Sequence, residues 1–492
     1  MIPGLDGSTT QLYHAGRSPA RRRGHGKGDI VMAAEWPSRF VYICSAGRAA
    51  LVHALPLVHA GLDRVARMIV FCGAIGPDET DSNDRAEAIL PAFRFRDIVS
   101  RLTDGRISEA NGTLIVLYGE PATVADWRSN MRQALDTLSR EPDANLPVLF
   151  NIKCGTKEMA IGGAIALAAG AIGRGQLITV SDRLPRVERV TGNGQEPLPV
   201  AGGHLDLPRY LELYGYHEHV DRGRSRTHQQ RAVFEALCAS ERERIQAFAA
   251  RLMPRAPTLW PLLASMAWQS PDETHLESAA VPTLSPGETD ANRIALALAL
   301  GALHGFPGLD VDLDAAGRCT SFRATSAMAV RFLTGGWLEA HIYLVLRETL
   351  RDRNDILVAA SLGLAATESP NIRDTEIDVA VMIGSQLLIV EAKSSTMTGK
   401  AAERAGERSL PAAESNMRAL LGQVGKMLIV NPCVEAKTLK QGGSVIPKTR
   451  RAGMDLFVGP EAVAELADYL RALAAGDAPG LPVDSEPAQM PQ

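Results

Sequence analysis

Glu376-Ile377-Asp378-Val379-Ala380-Val381-Met382 and Gln386-Leu387-Leu388-Ile389-Val390-Glu391-Ala392-Lys393, joined across Gly384-Ser385, decide how the last third of this 492-residue chain folds. Two apolar runs separated by a tight glycine turn predict a β-hairpin. Asp378 lies near the start of its first strand and Glu391-x-Lys393 at the end of its second. Antiparallel pairing across the 13 positions between Asp378 and Glu391 brings the two ends together. Side chains alternate along a strand, so Glu391 and Lys393 share a face. Glu376, two residues before Asp378, is a rival carboxylate on the same grounds.

These residue types suit phosphodiester cleavage. Asp378 and Glu391 offer hard oxygen ligands for Mg2+ or Mn2+, with positions left for water and a phosphate oxygen. Such an ion stabilises developing charge and lowers the pKa of a water it binds. Lys393 reaches toward the attacking water or the scissile phosphate. Glu339, in the helix that opens at Gly336-Trp337-Leu338, is a further ligand or water-orienting group. Glu-x-Lys alone is common and also fits a charged surface hairpin. The weight here comes from the apolar strand it terminates, an acidic partner one strand upstream and a glutamate on the preceding helix. Downstream, Ser415–Leu421 reads as a helix and Lys426–Val430 as another apolar strand.

Toward the N-terminus the pattern changes. Short apolar runs at Phe40–Cys44, Met68–Cys72, Thr113–Tyr118, Val148–Ile152 and Gln176–Val180 alternate with helical segments. That alternation predicts a parallel, Rossmann-like sheet covered on both faces. Asn193-Gly194 marks a hairpin turn beyond it. After the fourth strand, Lys153-Cys154-Gly155-Thr156-Lys157 opens a helix. Free backbone N–H groups there, with Thr156 and Lys157, make an anion site, and ordinary helix capping fits the same residues equally well. The Walker A spacing and a G-x-G-x-x-G after the first strand are both absent, which disfavours a dinucleotide cofactor. Between the two α/β regions, residues 204–330 read as mainly helical, and Trp260 and Trp268 as packed aromatics.

Net charge is −4, so a uniformly basic nucleic-acid coat is excluded while a local basic groove is not. The six cysteines are scattered without a C-x-x-C pair, which points away from disulfides and thiolate zinc and toward a reducing cytoplasm. No apolar run reaches the roughly 20 residues that cross a bilayer, so no membrane association is expected. Residues 1–36 are expected to be a disordered basic extension, and Met32 is an alternative start.

Taken together, Ser45-Ala46-Gly47-Arg48 and Gly155-Thr156-Lys157 resemble the ligand loops of a CARF domain. Gly336-Trp337-Leu338-Glu339, Glu376-x-Asp378 and Glu391-x-Lys393 are similar to the PD-(D/E)xK, restriction-endonuclease-like domain that follows it in the CRISPR-associated ancillary nucleases of type III systems. Leu207–Gly215 resembles the segment after the CARF domain in that family. The resemblance implies a homodimer whose paired CARF domains bind a cyclic oligoadenylate, usually cyclic tetra-adenylate. Binding would switch on Mn2+- or Mg2+-dependent cleavage of DNA, RNA or both in antiviral defence. Ser45, Gly47, Arg48, Gly155, Thr156 and Lys157 would line the ligand site, and Asp378, Glu391 and Lys393, aided by Glu339, would carry catalysis. Lys153-Cys154 stands where the family commonly has Thr-Gly, which leaves ring-size preference open.

The domains expected are a CARF domain over 37–203, a mainly helical middle over 204–330, a nuclease domain over 331–473 and a disordered tail over 474–492. Two rival readings stay open on the sequence: a catalytically silent sensor, and a constitutive repair or restriction nuclease.

Overall fold

The computed structural model describes residues 35–45, 50–73, 95–119, 123–140, 142–153, 157–168, 175–181, 186–192, 194–218, 231–267, 290–366, 375–393, 425–433 and 454–476. The expected disordered extension and most of the expected tail lie outside these residues, as do the helix at Ser415–Leu421 and Trp268.

The first unit runs β1 (Phe40–Ser45), α1 (Ala50–Ala60), β2 (Val65–Gly73), α2 (95–102), β3 (Leu114–Gly119), α3 (Val124–Leu138), β4 (Val148–Asn151), α4 (Lys157–Ala168) and β5 (Gly175–Val180). A hairpin of β6 (Val187–Thr191) and β7 (Gly194–Pro197) follows; Gly194, expected in the turn, instead pairs with Thr191 as the first residue of β7, and Asn193 lies outside the described residues. The sheet order is β3-β2-β1-β4-β5-β6-β7, with β1 to β5 parallel and the last two strands antiparallel. Alternation within each strand divides the core. Phe40, Tyr42 and Cys44 of β1 pack with α1 and α2, whereas Val41 and Ile43 pack with Trp127, Met131 and Met159 of α3 and α4. The sheet is therefore covered on both faces, as its continuous apolar strands require. A capping box starts α3: the Thr123 hydroxyl accepts the Asp126 N–H (3.2 Å) and the Asp126 carboxylate accepts the Thr123 N–H (3.1 Å).

The middle region contains α5 (Leu207–Leu213), β8 (Tyr216–Glu218), α6 (Arg231–Ser240), α7 (Arg242–Leu252), α8 (Ala256–Ala267), α9 (Ala291–Gly301), and a hairpin of β9 (Leu309–Leu313) and β10 (Cys319–Ala324). It is mainly helical, as expected, with two additions. The β9–β10 hairpin is one, and β8, which pairs at the edge of the second sheet, is the other. Trp260 is core, 5% exposed and packed on Trp337 with ring centroids 5.9 Å apart.

Then follow α10 (Ala327–Arg331), one wide π-type turn over Phe332–Gly336, α11 (Trp337–Thr349), β11 (Ile356–Ala366), β12 (Thr375–Ile383), β13 (Gln386–Ala392), β14 (Lys426–Asn431), β15 (Met454–Val458) and α12 (Ala462–Ala475). The last helix thus carries regular structure slightly past the expected boundary at residue 473. The second sheet has the order β15-β14-β13-β12-β11-β8, antiparallel from β8 through β13 and parallel from β13 to β15.

One face of this sheet, through Val379, Val381, Leu388, Val390, Leu428 and Val430, joins a core with α7, α8, α9, α11 and α12. The opposite face, through Ala380, Met382, Leu387, Ile389, Met427 and Ile429, joins Leu207, Tyr210 and Leu211 of α5 and the α1–α2 side of the first unit. Both units therefore share one continuous apolar core. Each large side chain buried there contributes roughly 1.5–3 kcal/mol.

Candidate active site and a second crevice

The hairpin forms as predicted. β12 and β13 pair antiparallel from Ile383↔Gln386 to Val379↔Val390, and one further step of that register sets Asp378 opposite Glu391. At that step the ladder stops. Asp378 Oδ2 instead accepts the Ala392 N–H at 2.7 Å, so a carboxylate fills the gap between two diverging strands. β11 breaks at the same level: its pairing with β12 runs Ala360↔Val379 and resumes at Leu362↔Ile377, skipping Ser361 and Asp378. Ser361 is buried with φ 51°, left-handed backbone that a non-glycine residue adopts at a cost of roughly 1–2 kcal/mol. Face alternation resets here on both strands, since Ala360 and Val379 belong to the helix-side core while Leu362 and Ile377 belong to the other. Strain concentrated beside candidate catalytic groups is the usual association.

Three further elements complete the cluster. Lys393 follows β13, anchored by its N–H to the Val430 carbonyl at 2.8 Å, and its ammonium pairs with Glu391 Oε1. Glu339 projects from the first turn of α11, its side chain 14% exposed. Arg331, the last residue of α10, pairs with Glu376 and, at 3.5 Å, with Glu339. It also donates to Ser361 Oγ at 3.3 Å, and Ser361 Oγ donates to Glu376 Oε1 at 3.2 Å.

Electrostatics follow from this crowding. Burial holds the Asp378 carboxyl well above the usual carboxylate range, and Glu391 and Glu339 add to the effect; Lys393 and the Ala392 N–H only partly offset it. Glu339 is pushed up to about 7, first by burial and then by Glu376 and Glu391, against the pull of Arg331. Burial works against the Lys393 ammonium, but Glu391 and Asp378 outweigh it and raise its pKa. Arg331 is likewise kept charged, Glu339 and Glu376 prevailing over burial. Among the described residues, four carboxylates (Asp378, Glu391, Glu339 and Glu376) face two cations (Arg331 and Lys393), an imbalance of two negative charges when all are ionised.

Among the described residues, no three His, Cys, Asp or Glu side chains are disposed to enclose a metal ion in this arrangement. The donor chemistry nevertheless fits a hard divalent ion. Asp378 and Glu391 offer carboxylate oxygens side by side, and Glu339 is next in reach.

The structure thus brings together the predicted Asp378, Glu391, Lys393 and Glu339, and adds Arg331, Ser361 and Glu235. Glu235 of α6 accepts the Ala360 N–H at 3.2 Å and the Arg231 Nε–H at 2.9 Å, bracing β11 one residue before its kink. The predicted sequence signal for Glu235 and Arg331 is nil, because both act across long chain separations. Lys426 is held by Tyr469 Oη at 3.1 Å and Asp455 at 3.6 Å, a structural use of a residue otherwise readable as a phosphate contact.

In the first unit, β1 neighbours β4, and successive crossovers leave this pair in opposite directions. Loops at the carboxyl ends of such a strand pair border the crevice where ligands bind in open α/β sheets. Ser45 ends β1, buried, with no hydrogen-bond partner for its hydroxyl among the described residues. Lys157 begins α4 and is exposed. Asn151 pins the β4 end by donating to Tyr42 Oη (3.0 Å) and the Val52 carbonyl (2.8 Å) and accepting the Lys153 N–H (3.1 Å). Gly47, Arg48, Gly155 and Thr156 lie outside the described residues.

Comparison with known proteins gives the following. Residues 326–475 match the family described as Card1-like, endonuclease domain. Protein VC1899 from Vibrio cholerae superposes with a TM-score of 0.61 at 16% identity, over 88% of this chain and 98% of that one. Can2 from Sulfobacillus thermosulfidooxidans, solved in complex with cyclic tetra-adenylate, superposes with a TM-score of 0.56, also at 16% identity and with 88% and 98% coverage. At such identity these likenesses show a shared fold along nearly the whole chain. No curated protein matches the sequence.

Proposed function

With its C-terminal part a Card1-like endonuclease domain, we propose that this chain is a metal-dependent endonuclease governed by a cyclic oligoadenylate bound at the β1–β4 crevice of its Rossmann-like unit. One observation carries the reading: Asp378, Glu391 and Lys393 meet where the β12–β13 ladder opens, inside the domain assigned to endonucleases. Asp378 and Glu391, with Glu339 beside them, would hold Mn2+ or Mg2+. When bound, the ion supplies Lewis-acid stabilisation of charge on the phosphate and a lowered pKa for bound water. The chain's own part is positional. The Ala392 N–H fixes one Asp378 oxygen, and the Val430 carbonyl fixes the backbone from which Lys393 extends. From there its ammonium can orient the attacking water or neutralise a non-bridging phosphate oxygen. Substrates are DNA, RNA or both.

Support for control by a ligand comes from the crevice itself, with the buried Ser45 hydroxyl and the α4 start beside it. The whole-chain likeness to a protein solved with cyclic tetra-adenylate adds to it. A two-fold symmetric ring suits a site shared by two protomers, so the working form proposed is a homodimer in the cytoplasm. The test is cleavage of supercoiled DNA, single-stranded DNA and single-stranded RNA with Mn2+, Mg2+ or EDTA, each with and without cyclic oligoadenylates of different ring size. Cleavage indifferent to every ring sinks the control. Cleavage that survives Asp378→Ala with Glu391→Ala sinks the site.

A further inference from the structure

Two carboxylates on β12 compete for the same role. Glu376 and Asp378 are two residues apart, and in a regular strand both would face one way. The paired kink at Ser361 and Asp378 separates them. Asp378 turns to the Ala392 N–H and the Glu391–Lys393 pair. Glu376 turns to Arg331 and the Ser361 hydroxyl.

From this geometry we infer that Arg331 is a positioning residue that withdraws Glu376 from the metal-ligand set and tethers Glu339, so that a divalent ion is centred on Asp378 and Glu391. The inference rests on the metal-dependent reading of the site given above. A guanidinium suits the task because it is planar, permanently charged and able to bond several acceptors at fixed angles. Here one guanidinium reaches Glu376, Glu339 and Ser361 Oγ, on elements as separate as β12, α11 and β11. With its side chain 22% exposed, the contacts are only weakly screened by water. Arg331 also stands directly before the wide turn Phe332–Gly336 that aims α11, so the same residue ties the glutamate-bearing helix to the catalytic sheet. Without it, Glu376 and Glu339 become uncompensated neighbours and offer a second seat for a divalent ion, away from Asp378 and Glu391.

The experiment uses the full-length, metal-free protein and two readouts, Mn2+ binding followed by electron paramagnetic resonance and cleavage kinetics in saturating Mn2+. Arg331→Met is expected to bind Mn2+ at least as tightly as wild type while kcat falls about 100-fold, the scale of a misplacement of roughly 1 Å. Adding Glu376→Gln to Arg331→Met removes the competing charge and is expected to restore kcat to within about tenfold of wild type. Arg331→Lys, which keeps charge but loses the planar guanidinium, falls between. Glu376→Gln alone is expected to leave Mn2+ affinity within about threefold of wild type, less than the tenfold that 1.4 kcal/mol represents. This last variant needs no change at Arg331 and decides the matter even where Arg331→Met unfolds.

A tenfold or larger loss of Mn2+ affinity in Glu376→Gln makes Glu376 a ligand and overturns the proposal. A double variant as inactive as Arg331→Met does the same, as does an Arg331→Met protein with wild-type kcat and affinity. Wild-type protein that binds no Mn2+ overturns the metal reading together with this one, which separates the two failures.

Discussion

Glu339→Gln should make the metal-free protein more stable at alkaline pH while depriving the site of a carboxylate. In the folded chain the Glu339 carboxyl keeps its proton up to about pH 7, against an ordinary 4.5, because it is buried near Glu376 and Glu391. The folded state therefore binds more protons than the unfolded one between those values, and stability falls as pH rises through that window. Each pH unit of displacement is worth about 1.4 kcal/mol, so the full loss by pH 8 is about 3 kcal/mol. Glutamine has no such loss. It forfeits the contact with Arg331 at 3.5 Å, worth about 1 kcal/mol, and leaves Arg331 its pairing with Glu376.

The net expectation is a gain of about 2 kcal/mol at pH 8 and almost no change at pH 5, where the first part of the carboxylate's loss, about 1 kcal/mol, already offsets the missing contact. For a domain of this size that corresponds to a melting-temperature change of roughly +4 to +8 °C at pH 8 and almost none at pH 5. Thermal unfolding in EDTA, followed by circular dichroism at pH 5, 6.5 and 8, reads the growth of this difference directly. Equal pH slopes for the variant and wild type, or a variant less stable at pH 8, would refute the account of like charges crowded in the site. The broader expectation is that nuclease groups are tolerated at the expense of stability, as strained or charged functional sites commonly are.

Glu235→Gln weakens the brace on the Ala360 N–H and is expected to destabilise by about 1 kcal/mol and to lower kcat, with cyclic nucleotide binding unchanged by calorimetry. Gly162→Ala gains about 1 kcal/mol of helix propensity. Its Cβ would, however, stand 2.7 Å from both the Val124 carbonyl oxygen and Trp127 Cβ and 3.0 Å from the Arg128 nitrogen, backbone that cannot swing aside. A net loss of about 1–2 kcal/mol is expected in chemical denaturation, and a stabilised protein would contradict the close packing of α3 on α4. Ile389→Ala, on the shared core face, should cost about 2–5 kcal/mol by the same assay. It should also broaden the transition, because it loosens the seam between units as well as the second sheet.

Much of this was legible in the sequence for plain reasons. Buried parallel strands announce themselves as unbroken apolar runs, and the tight Gly384-Ser385 turn fixes a hairpin register in which Asp378 faces Glu391. The β9–β10 hairpin was missed: Leu309-Asp310-Val311-Asp312-Leu313 alternates strictly, but the run is short and lies among helical segments. β8 was missed too: three residues at a sheet edge owe their conformation to a partner, β11, more than a hundred positions away. The kink at Ser361 has no local signature either, because the groups that meet it come from three other elements: Arg331 and Glu376 at its hydroxyl, and Glu235 at the neighbouring Ala360 N–H. Residues defined by their role in a pairwise contact are invisible until both members have a place.

The continuous core beneath the second sheet limits how a signal can travel. Met382, Leu387 and Ile389 sit in the same apolar body as Leu51, Leu55 and Tyr210. Opening a hinge there would bare that surface to water at roughly 25 cal/mol for every Å2 exposed. The chain is thus built as a lever with no elbow. In the proposed homodimer, events at the β1–β4 crevice would swing the second sheet as one piece, and the slack that lets it move would belong between protomers.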